Sequence, residues 1–204
     1  MVLFPSRSDV LDFSKGRISP LIDDNLESIG QWLQETDAAG LKRVWNTFLY
    51  LRGMHSRVGL KSVPTDLIVF DELDEAPQNA KDMAMERESH SELKEVVMLS
   101  NPTLPDYGID KEFQQTDQRY WLLKCPHCGE YTCLEDTFPD CLLKIDSRVI
   151  LACSRRQGEL DPAIGQWVAK KPEVTDRRGI TTVSSFPSLY PLRIYSDSLR
   201  PQPT

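Results

Sequence analysis

Two adjacent carboxylates, Asp71 and Glu72, follow directly on the apolar run Leu67-Ile68-Val69-Phe70. Four apolar residues in a row suit a strand buried on both faces of a parallel sheet. The C-terminal end of such a strand is where open α/β sheets hold ligands. Asp71 can hold Mg²⁺ there, largely through water, because that ion keeps several of its waters. Glu72 can orient and polarise an attacking water. The competing reading is a plain buried strand that ends in a solvated acidic loop, Asp71-Glu72-Leu73-Asp74-Glu75. A second apolar run, Val96–Leu99, ends in Ser100-Asn101-Pro102-Thr103. Hydroxyls at a strand tip can reach a phosphate-bound water or the neighbouring glutamate; equally, they can cap a turn.

A third cluster is sulfur-based. Cys125-Pro126-His127-Cys128-Gly129 has the spacing of a metal knuckle, and Gly129 allows the positive φ that such a turn needs. Arg148-Val149-Ile150-Leu151-Ala152 then leads into Cys153. The layout is that of a zinc ribbon, two hairpins each offering a knuckle. In Cys153-Ser154-Arg155-Arg156, however, Arg156 stands where a fourth ligand belongs, and a guanidinium cannot ligate. Structural zinc takes four ligands. A zinc site of Cys125, Cys128 and Cys153 is therefore expected to be weak or empty, unless Cys133, Cys141 or His127 completes it. A metal-free pair of hairpins with buried or free thiols is the alternative. Disulfides are not expected in a cytosolic protein.

The elements that must position these groups alternate. Val2–Phe4 reads as a short strand. Ser8 can cap a helix running to about Ile18, which Pro20 kinks or restarts. Trp45–Leu51 reads as a strand closed by Gly53, and residues 54–64 as a polar connection. Leu67–Phe70 and Val96–Leu99 flank a helix over Asn79–Ser89. Strands alternating with helices imply βαβ units and a parallel sheet, so the two apolar runs should be adjacent parallel strands with Asp71 and Ser100 facing one crevice. Trp32 and Trp45 are expected in a core. His55 and His90 are expected on the surface, and Arg87 paired with Glu86 or Glu88. Arg7 is placed either toward phosphate or on the surface.

The ordered series carries a resemblance. Asp71-Glu72 after its strand has the Walker B pattern of P-loop ATPases, with Ser100–Thr103 as a coupling motif. Val2-Leu3-Phe4-Pro5-Ser6-Arg7, Gly59-Leu60-Lys61-Ser62, Val69–Pro77, Ser100–Thr103, Asp117-Gln118-Arg119-Tyr120-Trp121 and Cys125–Gly129, in that order, resemble a tailed-phage terminase large subunit of the lambda gpA type. The resemblance implies an ATPase module that drives DNA translocation, and a nuclease module that cuts concatemeric DNA. It implies ATP and Mg²⁺ as cofactors, with Asp71 on the metal, Glu72 as the catalytic carboxylate, and Ser100 and Thr103 sensing the γ-phosphate. Implied partners are double-stranded DNA, the terminase small subunit and the portal or procapsid, in the host cytoplasm. Two departures stand out. No Gly-Lys-Ser or Gly-Lys-Thr occurs, so nothing in the sequence cradles the β and γ phosphates on backbone N–H groups. A nuclease module does not fit before Thr204. The expectation is therefore an internal fragment, from a prophage gene or a cut piece, with an unpaired edge beside the Walker B strand.

The fold expected is α/β: a partial P-loop-type parallel sheet with flanking helices and a zinc-ribbon-like β insert. Residues 1–118 would form the ATPase core, 119–160 the ribbon, and 161–204 a return strand and the start of a linker. The net charge of −7 (24 basic against 31 acidic) excludes a globally basic DNA clamp and confines DNA contacts to patches such as Arg155-Arg156 and Arg177-Arg178. No apolar run approaches the ~20 residues of a membrane span. Met1–Pro5 lacks the form of a secretory signal. Two further readings remain: a superfamily 2 helicase-like ATPase, or a non-catalytic remnant that binds nucleic acid or protein through the ribbon.

Overall fold

The computed structural model describes residues 1–34, 38–56, 60, 63–183 and 191–196. Strands β1 (Val2–Phe4), β2 (Leu33–Gln34), β3 (Leu41–Val44), β4 (Thr47–Gly53), β5 (Leu67–Asp71) and β6 (Glu95–Ser100) form the first half. The second half holds β7 (Arg119–Lys124), β8 (Tyr131–Cys133), β9 (Leu142–Ile145), β10 (Arg148–Leu151), β11 (Gly165–Ala169), β12 (Arg178–Val183) and β13 (Pro191–Ser196). Among the described residues eleven strands make one sheet, in the order β11-β7-β12-β13-β6-β5-β1-β4-β3-β2 with β8 on β7; β9 and β10 pair separately.

The centre of the sheet, β4-β1-β5-β6, is parallel throughout. The two apolar runs are indeed adjacent and parallel, with Asp71 level with Leu99. They are not buried equally on both faces. Ile68, Phe70, Val96 and Met98 are sealed, whereas Leu67 is 40% exposed and Val69 half-buried. The sealed face carries Leu3, Met54, Leu60, Ala80, Ala84 and Ile109 in one core, under helix Gln78–Met85. The other face packs Phe4, Val10 and Leu51 beneath helix Arg7–Phe13. Residues level with each other in a parallel pair share a face, and successive residues alternate. Asp71 and Ser100 therefore lie on opposite faces, not in one crevice.

Local chemistry explains the remaining differences. Ser6, not Ser8, caps the first helix, because Asp9 three residues on closes a capping box with it. The chain then passes through a π turn, Ser14–Ile18, before Pro20, which sits in the first turn of the next helix, Ser19–Asp23. The extra residue of that turn accommodates the proline without ending the helical path. Met54 and Leu60 are core residues of what reads as a polar connection. Gly59, Lys61 and Ser62 lie outside the described residues. Trp45 sits in the turn between β3 and β4 and is 62% exposed, and Trp32 is also exposed, so neither is in a core. No unpaired edge lies beside β5: β1 pairs one side of it and β6 the other.

Candidate functional site

Asp71 ends β5, and Glu72 follows in the left-handed region with φ 53°. They open onto a cleft of about 380 Å³ lined by Phe4, Pro5 and Phe13, the carboxylates Asp9, Asp12 and Glu75, and Arg17. Among the described residues Arg17 is the only cation lining it, and its charge is the smallest influence on Asp71, a lowering one. Burial nevertheless raises Asp71, against the N–H of Glu72 that donates to it. Glu72 is raised by burial and then by Asp71, Glu75 and Asp74, while the Asn101 N–H pulls it down. Helix Arg7–Phe13 brings Asp9 and Asp12 to the rim, and the π turn brings Arg17. A cleft so acidic fits a hydrated cation rather than a bare polyphosphate. Mg²⁺ needs only one or two carboxylates and keeps its waters, which suits half-buried Asp71.

Because the folded state binds the Glu72 proton more tightly than the unfolded chain, ionising this group costs stability as pH rises through its raised value. The cost is absent at acid pH, below the ordinary carboxylate range. Glu72→Gln is expected to raise Tm by about 1–2 °C near pH 7, since solvent screens this partly exposed group. Thermal melts should show the gain vanish by about pH 4. A loss of Tm at neutral pH would contradict this account.

Asp74 is the residue that pattern reading missed. It is buried, not a solvated loop acid. Its Oδ2 accepts from the Thr103 N–H (2.8 Å) and hydroxyl (2.9 Å), and its Oδ1 from the Ile109 N–H (2.7 Å). Its own N–H donates to the Ser100 Oγ (3.0 Å). Gly108 holds φ +50°, and a Cβ there would come within 2.2 Å of Asp74 Oδ1. Ser100 and Thr103 thus fasten the loop after β6 to the loop after β5, and neither lines the cleft. Asn101, between them, is the residue that reaches Glu72. The spacing of Asp74 three residues after Asp71 gives no sign of burial; Gly108, glycine both for its positive φ and for the room Asp74 takes, is a trace of it in the sequence.

The sulfur cluster forms. Cys125, Cys128 and Cys153 place their Sγ atoms within 4.8 Å of one another, with Cys128 and Cys153 3.7 Å apart. Thiolates ~2.3 Å from a tetrahedral zinc lie about 3.8 Å apart, so the donor set fits. The two knuckles have the same backbone. Gly129 N–H donates to Cys125 O at 2.9 Å and Gln157 N–H to Cys153 O at 2.9 Å. Cys125 N–H donates to Glu130 O at 2.8 Å and Cys153 N–H to Gly158 O at 2.9 Å. Gly129 has φ 74° and Gln157 φ 57°. Arg156 therefore occupies the place in the second knuckle that Cys128 has in the first. The N–H groups of Arg156 and then Arg155 hold the Cys153 thiol down to about 7, against burial. The Glu130 N–H pulls Cys128 down, but burial and the hydrogen bonds to Cys125 and Cys153 outweigh it and push it up. Cys133, Cys141 and His127 do not join the cluster: Cys141 donates to Leu134 O, and His127 is exposed over Gly158. Leu123, Leu160, Trp121, Leu134 and Leu151 pack around the thiols.

A model of the phage terminase large subunit gpA ATPase domain matches residues 1–154, three quarters of the chain and both clusters. The chain belongs to the phage terminase large subunit gpA family. No curated protein and no solved structure matches it. The gpA match spans β5 with Asp71 and Glu72, the Ser100–Thr103 loop and the cysteine cluster, and nothing favours a helicase-like reading over it. No described helix of this gpA-family chain is long and apolar enough to cross a membrane.

Several other expected residues are accounted for by their contacts. Arg177 binds buried Glu112 (3.1 Å), which also pairs with Lys81, and Gln115 (2.7 Å), so it is committed within the protein. Arg155 pairs loosely with Glu130 (3.5 Å) and Arg87 with Glu86 (3.2 Å). Arg7, His55 and His90 face solvent. Asp117 is buried, accepting from Arg119 Nε (2.6 Å) and the Gly179 N–H (2.9 Å), which ties β7 to β12.

Proposed function

We propose that this gpA-family chain supplies the metal- and water-handling part of an ATP-driven motor that packages double-stranded phage DNA into a procapsid. Asp71 would hold Mg²⁺ and Glu72 would act on the attacking water, the chemistry being positioning and charge stabilisation rather than covalent catalysis. The observation that carries the reading is the pair of half-buried carboxylates at the end of a central parallel strand, with Glu72 bonded to the loop after the adjacent strand. Ser100 and Thr103 would act as a coupling loop through Asp74, and Asn101 would report the state of Glu72. Bound Mg²⁺ would supply positive charge at the phosphates. Cys125, Cys128 and Cys153 would hold zinc weakly. The small subunit and portal would be partners in the host cytoplasm, with DNA cutting assigned to a nuclease module of the intact family protein.

The sequence has no Gly-Lys-Ser/Thr, whose backbone N–H groups would cradle a triphosphate. The purified chain is therefore expected to turn over ATP no faster than buffer. Mn²⁺, read by electron paramagnetic resonance as a stand-in for Mg²⁺, should bind less tightly to Asp71→Asn than to the native chain or to Glu72→Gln. Equal Mn²⁺ binding by all three would remove Asp71 from the metal. Rapid turnover that survives Glu72→Gln would remove Glu72 from the chemistry.

A further inference from the structure

Residues 38–65 hold Lys42, Arg43, Arg52, Arg57 and Lys61 and no aspartate or glutamate, in a chain whose net charge is −7. Lys42, Arg43 and Arg52 lie on the β3–β4 hairpin. Strand β4 pairs with β1 only through Leu51–Gly53, so the hairpin, with β2 beside it, projects beyond the parallel core. One face of it is a ladder. Arg43 lies over the Phe48 ring at 5.7 Å, Phe48 and Tyr50 rings are 6.2 Å apart, and Arg52 lies over Tyr50 at 5.4 Å. The register explains it: Arg43 is opposite Phe48, and Tyr50 and Arg52 follow at alternate positions on the same face. Phe48 is 48% exposed. At the turn Trp45 stands edge-on to Trp32 at 5.6 Å, both exposed. None of the ion pairs among the described residues involves Lys42, Arg43 or Arg52. Arg43 gives one N–H to Trp45 O and Arg52 one to Gly40 O, of the five each guanidinium carries.

Exposed aromatics interleaved with cations at strand spacing, with no carboxylate among them, match a polyanion that also presents flat faces. We propose that this hairpin binds a nucleic-acid strand with unpaired bases, Phe48 and Trp45 stacking on bases while Arg43 and Arg52 meet phosphates. The proposal deepens the DNA reading above but stands on the hairpin alone, apart from Asp71 and Glu72.

The test is fluorescence anisotropy of the whole chain with a labelled single-stranded oligonucleotide and with the same sequence as a duplex, across a salt series. The native chain should prefer the single strand. Phe48→Ala should weaken that binding about 5- to 150-fold, as loss of one stacked base does. Phe48→Trp should restore it, and the melting temperature shows whether each variant folds. Arg43→Gln with Arg52→Gln should flatten the salt dependence by about 0.7 for each phosphate that a guanidinium no longer neutralises. Absent binding, equal affinity for duplex, or binding indifferent to Phe48 in folded variants would overturn the proposal. So would a self-associated chain whose dimer, rather than its oligonucleotide affinity, is lost in Phe48→Ala. Oligonucleotide binding with Mn²⁺ binding indifferent to Asp71→Asn would sink the nucleotide reading and leave this one standing.

Discussion

Arg156→Cys should raise zinc affinity by more than about 100-fold. Even groups that merely support a metal ligand are worth ~10–100-fold, and this change adds a ligand outright. The second knuckle already has the backbone for it: Gln157 and Gly158 make the same hydrogen bonds to Cys153 that Gly129 and Glu130 make to Cys125. A thiolate at position 156 would therefore enter an arranged place, and the added binding energy would be folding energy for the hairpins. Competition against a chromophoric chelator at fixed pH measures it, with Arg156→Ala as the control that leaves affinity where it was. A native chain that already retains a full equivalent of zinc as tightly as Arg156→Cys would show that another donor completes the site.

Asp74→Ala should destabilise the fold by about 3 kcal/mol, because it orphans the buried N–H groups of Thr103 and Ile109 and the Thr103 hydroxyl. For a chain of this size that is a fall in Tm of about 6–12 °C. Gly108→Ala should also destabilise, through its positive φ and the collision of its Cβ with the Asp74 carboxylate. The double variant separates the two causes. Truncating Asp74 removes the collision but not the backbone cost, so the combined loss should be smaller than the separate losses added. Strict additivity in denaturant melts would mean that the two residues do not meet.

The parallel centre was legible because Leu67–Phe70 and Val96–Leu99 flank a helix, the layout of a βαβ unit. Cys125, Cys128 and Cys153 were legible because knuckle spacing is local. Two kinds of feature were not. Asp74 looks like any loop acid until its three donors, 29 to 35 residues away, are seen around it. The facing of Asp71 and Ser100 depends on register, and a one-residue difference in where two strands come level reverses it. Arg17 escaped notice because a π turn, which leaves no composition signal, swings it toward the cleft. Trp32 and Trp45 were misplaced because aromatic content argues for burial only when something lies opposite to receive it.

Glu72 combines two unfavourable choices in one residue. Its backbone sits at φ 53°, ψ 54°, where a side chain costs about 1–2 kcal/mol and glycine almost nothing. Its carboxylate is pushed toward the protonated form by the burial and like charges around it. A sequence tuned only for a durable fold would place glycine or asparagine here. On the role proposed for Glu72, the strand end would be a position where stability is given up for a charged group held at one angle. Searching other chains for non-glycine residues in the left-handed region directly after a buried parallel strand would pick out such positions from geometry alone, with no motif to guide the search.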